Sequence, residues 1–186
     1  MYHLVMNGQE LLQLAAIQQG YFRTQQALTA GWTRRELNWA KTTGRIDNIR
    51  YGLYRFAHFP TTPSDELHEI QTMAPDGTFS HETALQLFGL TDLLPRTTHF
   101  TMPPGSGFKA RPGLTIHHRR IASPERVLRD GLWLTSLPRT LLDTARAGVD
   151  PDQLLDAARD ALDRALLSPD DLQRLRSHYP YSILSA

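Results

Sequence analysis

The sequence predicts an α+β protein in two modules: a three-helix head closed by a β-hairpin, then a mixed α+β domain with C-terminal helices. Three observations predict it. Glycines and capping residues divide the first 60 residues into short helices and two strands, a proline-bounded linker follows at residues 59–63, and beyond it strand-like runs mix with amphipathic helices. The chain has 186 residues, enough for one domain of about 100–150 residues and a smaller companion.

In the head, Leu11, Leu12, Ala15 and Ala16 recur at helical spacing over Gln9 to Gln19, and Gly20 stands where a helix stops. Thr24 is placed to cap a second helix that runs to Ala30, and Gly31 turns the chain. Thr33 and Glu36, three apart, form a capping box at the start of a third helix ended by Gly44. Arg45 to Asn48 and Ile49 to Phe56 then read as strands around Tyr51-Gly52, with Ile46, Ile49, Leu53 and Phe56 available for burial. Three helices and a hairpin in this order make a winged helix-turn-helix, assigned to residues 1–60.

In residues 61–186, Ser64 is placed to cap a helix over Asp65 to Met73, and Ser80 one over His81 to Phe88 that Gly89 closes. Thr98 to Met102, Leu114 to Arg120 and Leu132 to Thr135 read as strands. Ser136, with Pro138 in the first turn, opens a helix that ends near Gly148, and two more helices cover Pro151 to Leu167 and Pro169 to His178.

Composition limits the possible chemistry. Hydrophobic residues make up 40% and charged residues 21%, an ordinary globular balance. With no Cys there is no disulfide framework, thiolate nucleophile or Cys-ligated metal, and no run of about 18 apolar residues offers a membrane span. A cytoplasmic protein that meets no membrane is expected.

The net charge of +1 conceals an asymmetry. Residues 1–60 carry seven Lys or Arg against three acids, residues 61–149 nine against nine, and residues 150–186 four against seven. A basic head on a neutral to acidic body suggests that the head meets a polyanion. In a helix-turn-helix the second helix of the pair lies in the major groove while the wing touches phosphates. If Leu37 and Ala40 face inward with Trp32, then Thr33, Arg34, Arg35, Asn38 and Thr42 start the reading face; Arg suits guanine and Asn adenine. Lys41, Arg45, Arg50 and Arg55 are assigned to phosphates, with Tyr51 at the wing tip. Trp39 reads as a packing residue and is left out of this set. Double-stranded DNA is the expected partner.

Enzymatic readings find little support. Ser80-His81-Glu82 are consecutive at a helix start and cannot converge on one substrate atom as a triad does. His117 and His118, adjacent in a strand, face opposite sides, and the other histidines are scattered, so no metal site, cofactor or catalytic residue is expected. Arg139 and Asp143, four apart, read as an intrahelical ion pair. The loop Pro103 to Gly107 lacks the spacing of a phosphate cradle.

The runs Gly20 through Ala27, Gly31 through Leu37, Gly44-Arg45-Ile46 and Arg50 through Arg55 resemble the winged helix of the AbiEi antitoxins, from type IV toxin-antitoxin systems. Ser80 through Leu85, Phe88-Gly89-Leu90, a proline near 95 and Leu134 through Asp143 are similar to the family's other recurrent runs. The resemblance spans residues 20 to about 147. It implies an autorepressor that binds inverted repeats in its promoter, and a second module that counters a nucleotidyltransferase toxin. Lys41 departs from the pattern, which usually has an apolar residue there. Some relatives add a restriction-like nuclease tail; no Asp followed by Glu-x-Lys occurs here, so that activity is not expected. The alternatives are a protein-interaction module whose winged helix does not read DNA, and a solitary regulator without a toxin.

Overall fold

The computed structural model describes residues 2–90 and 95–178. They form two compact units, residues 1–75 with 130–132, and residues 76–129 with 133–186.

The first unit runs α1 (Tyr2–Ile17), β1 (Tyr21–Arg23), α2 (Thr24–Thr29), α3 (Arg34–Thr42), β2 (Ile46–Arg50), β3 (Leu53–Phe56) and α4 (Asp65–Met73). Its antiparallel sheet has the order β1-β3-β2, with Phe22 opposite Tyr54 and Ile46 opposite Phe56. The helices close on this sheet because each presents a small apolar set to it: Leu11 and Ala15, Ala27, then Leu37 and Ala40, all buried with Phe22, Ile46 and Phe56. Phe22 sits at the centre, its ring 4.9 Å from Phe56 and 5.7 Å from Tyr54. Burying a side chain of this size stabilises by about 1.5–3 kcal/mol.

Several details differ from the sequence expectation. Helix α1 begins at Tyr2 rather than near Gln9, and Leu12 and Ala16 lie on its exposed side, where Leu14 packs inward instead. Ile49, expected to be buried, is exposed because a register shift between Asn48 and Arg50 breaks the alternation of β2. Thr24 begins α2 rather than capping it, and Ser64 makes no side-chain cap; Asp65 instead accepts from the Thr62 amide and hydroxyl. By its contacts α4 groups with the first unit, so the division falls after Pro75, not after Pro60.

The second unit contains β4 (Thr78–Phe79), α5 (His81–Phe88), β5 (Thr98–Met102), β6 (Leu114–His118), a 3₁₀ turn (Ser123–Glu125), β7 (Arg126–Arg129), β8 (Leu132–Thr135), α6 (Leu137–Arg146), α7 (Pro151–Asp163) and α8 (Pro169–His178). The sheet order is β6-β5-β4-β8-β7; β4 runs antiparallel to β5, while β5 with β6 and β4 with β8 are parallel. Phe79, Phe100 and Leu134 fill its centre, and Ala84, Leu85 and Leu141 belong to the buried residues of α5 and α6. Gly77 is tied to this packing: a Cβ there would lie 2.1 Å from the Phe100 ring. Ser80 and Ser136 make no side-chain caps. Helix α7 stops at Asp163, which leaves Leu166 exposed outside the stripe expected for it.

Candidate nucleic-acid interface

The helix-turn-helix is α2, the turn at Gly31, and α3. Its second helix starts as the sequence indicates: the Glu36 amide donates to Thr33 Oγ1 (3.2 Å), and Glu36 Oε2 accepts from the Thr33 amide (2.6 Å) and hydroxyl (2.8 Å). These bonds, the backbone one first, hold the Glu36 carboxyl below the usual carboxylate range. Leu37 and Ala40 are buried, and the 3.6-residue period then turns Arg34, Arg35, Asn38, Lys41 and Thr42 outward. All five are exposed, as is Thr33. Lys41, the departure noted above, lies on this outer side and leaves the packing of α3 undisturbed. The hydroxyl of Thr42 is spent within the helix, donating to the Trp39 carbonyl (2.9 Å).

The wing follows directly. The Arg45 amide donates to the Ala40 carbonyl (2.9 Å), so β2 leaves from the end of α3, and the Thr24 amide donates to Gly52 O (2.9 Å), tying the tip to the start of α2. Gly52 has φ of +73°, the left-handed conformation that a tight hairpin requires and glycine adopts without strain. This leaves Tyr51 98% exposed at the tip. Asn48 braces the hairpin by donating from Nδ2 to the Arg50 carbonyl (2.9 Å).

Among the described residues Arg34, Arg35, Lys41 and Arg45 have no carboxylate partner, so this face carries uncompensated positive charge. Arg45 stacks over Trp39, its guanidinium carbon 4.5 Å from the ring centre. Trp39 is 52% exposed rather than packed, and sequence reasoning missed it: its position beside Leu37 and Ala40 suggests burial, but its turn of the helix faces out. Arg50 is half exposed and paired with Glu69 on α4.

Arg55 is a correction. It is 6% exposed and cannot reach a phosphate: it donates from Nη2 to the Pro60 carbonyl (2.6 Å) and from Nε to the Gln19 carbonyl (3.3 Å), and pairs with Asp65 at 3.4 Å. Its alternation on β3 places it opposite the outward face, where it ties the sheet to α4. Arg55→Ala is expected to lower the stability of the first unit by about 2–3 kcal/mol, from charge-assisted hydrogen bonds lost. Urea denaturation checks this, and an unchanged midpoint would remove the structural role.

Residues 9–57 match the family model described as a transcriptional regulator, AbiEi antitoxin. The head of this chain is thus similar to the AbiEi transcriptional regulators. The matched segment takes in α2, α3 and the whole wing, so the AbiEi pattern and the exposed cationic face coincide. The fold as a whole has a solved counterpart in the RV2827C protein from Mycobacterium tuberculosis, with a TM-score of 0.52 at 15% identity, covering 90% of this chain and 69% of that one. At that identity the likeness shows the fold alone. No curated protein matches the chain.

Proposed function

We propose that the protein is a transcriptional autorepressor and antitoxin. The first unit seats α3 in the major groove of inverted repeats in its own promoter, and the second counters a nucleotidyltransferase toxin. The observation that supports this reading is the outward set Arg34, Arg35 and Asn38 at the start of α3, next to Lys41, Arg45 and a hairpin tip, within a segment matching the AbiEi regulators. Arg34 and Arg35 pair with guanines and Asn38 with adenine; Lys41, Arg45 and Arg50 take phosphates, while Thr33, Thr42 and Tyr51 border the duplex. The work of such a protein lies in the cytoplasm, and no helix among the described residues is long and apolar enough to cross a membrane.

A gel-shift against its upstream region and a random duplex of equal length tests the DNA role. Preference for the promoter by about 10³-fold or more is expected, with log affinity falling against log salt at a slope of roughly −3 per protomer for three phosphate contacts. Equal binding to both duplexes would refute base readout. The toxin role is tested by coexpression with a nucleotidyltransferase toxin, the partner class proposed for it: growth arrest that this chain does not relieve counts against it.

A further inference from the structure

We propose that His81, His99 and His117 in the second unit form a binding site for one divalent transition-metal ion of the zinc class. The three residues come from separate elements. His81 opens α5 directly after β4, and the Ser80 amide donates to the His99 carbonyl (3.1 Å), which fixes that helix start against β5. The parallel register pairs His99 with Thr115 and Thr101 with His117, so the two strand histidines are diagonal neighbours on one face of the sheet.

One ring nitrogen from each histidine lies within 4.8 Å of the others. His99 Nδ1 and His117 Nε2 are 3.0 Å apart, close to the separation of about 3.3 Å that two nitrogens take around a tetrahedral zinc with bonds of about 2.0–2.1 Å. The rings are stacked, His81 on His117 at 3.9 Å between centres, and because an ion lies in the plane of each ring it binds, seating one asks the His81 ring to rotate out of the stack and the widest nitrogen pair to close by at most about 1.5 Å.

Two of the rings are already oriented from behind. Glu82 Oε2 lies 3.2 Å from His99 Nε2, a carboxylate placed to accept a hydrogen bond from Nε2–H and so leave the Nδ1 lone pair facing the cluster. Ser80 Oγ lies 2.9 Å from His81 Nδ1, and is itself 2.8 Å from Thr101 Oγ1. His81 also holds φ at +54°, a left-handed backbone that a non-glycine residue keeps only where its surroundings impose it. His81 and His117 line a cavity of about 470 Å³, which gives an ion a way in. A chain without Cys makes this a nitrogen site, suited to zinc and its neighbours rather than to calcium or magnesium.

The test is a calorimetric titration of the untagged, chelator-treated full chain with zinc chloride. One equivalent is expected to bind. His99→Ala and His117→Ala should each weaken binding by tenfold or more, Glu82→Gln by about tenfold, and His58→Ala, in the other unit, not at all. No stoichiometric binding, or binding unchanged in both His99→Ala and His117→Ala, overturns the site. Far-UV circular dichroism checks the fold of each variant. Should a variant unfold, cobalt(II) added to the wild-type chain decides: visible bands of a tetrahedral nitrogen site support the assignment, and their absence overturns it. The DNA reading stands or falls by gel-shift, independently of this titration.

Discussion

Arg34→Ala with Arg35→Ala is expected to reduce affinity for the native promoter at least about 30-fold, since each bidentate arginine–guanine pair supplies about 1–3 kcal/mol of discrimination. Both side chains are exposed and unpaired with acids among the described residues, and alanine is the stronger helix former, so the fold of α3 should survive. Affinity for a random duplex should fall much less, because the phosphate contacts proposed for Lys41, Arg45 and Arg50 are left in place. Fluorescence anisotropy on both duplexes at one salt concentration separates the effects. Equal loss on the two would reassign the arginines to the backbone, and no loss on either would mean that α3 is not the reading helix.

The head was legible because its signals are local. A capping box needs residues three apart, a hairpin tip needs a glycine in the left-handed region, and the buried and exposed sides of α3 follow from a period of 3.6 residues. The α+β class and the winged helix-turn-helix at the N-terminus stand accordingly. Strand β1, only Tyr21–Arg23, escaped notice because three residues cannot display an alternation, and its existence depends on pairing with β3 some thirty residues later. The two-residue β4 escaped for the same reason. Arg55 was misassigned because a basic residue in a basic hairpin reads as a phosphate contact, whereas its place opposite Tyr21 and its ion pair with Asp65 are tertiary facts.

The second unit was harder still. Residues 81, 99 and 117 look scattered in the chain, and the sequence correctly separates His117, half-buried, from His118, exposed; the parallel pairing of β5 with β6 brings two of the rings together, and the backbone bond from Ser80 to His99 brings the third. The runs that carry the family resemblance in this module, Ser80 through Leu85 and Leu134 through Asp143, supply His81 and Asp143 to one cavity wall. Expectation from spacing treated Arg139 and Asp143 as a simple helix pair, and the structure buries that pair.

That burial sets the second large effect. Asp143 is 4% exposed and accepts from Arg139 Nε at 2.7 Å and from Arg119 Nη1 at 3.3 Å, while Arg139, 8% exposed, also donates from Nη1 to Glu125 at 2.8 Å. The partners raise the Arg139 guanidinium above its ordinary range against the burial that opposes them. Its Nη2 is already buried without a hydrogen-bond partner. Asp143→Ala therefore strands a buried cation with one half-exposed carboxylate left to balance it, and a loss of about 3–5 kcal/mol is expected, a large share of the roughly 5–15 kcal/mol that holds a domain folded. Arg139→Met added to Asp143→Ala should recover part of this, because replacing both charges with apolar volume removes the desolvated ion as well as its partner. Arg146→Ala, which removes a partly exposed arginine 3.9 Å from the same carboxylate, should cost less than about 1 kcal/mol. Thermal unfolding of the three variants checks the order, and a double variant no more stable than Asp143→Ala would show that the carboxylate supports the fold by some route other than neutralising Arg139.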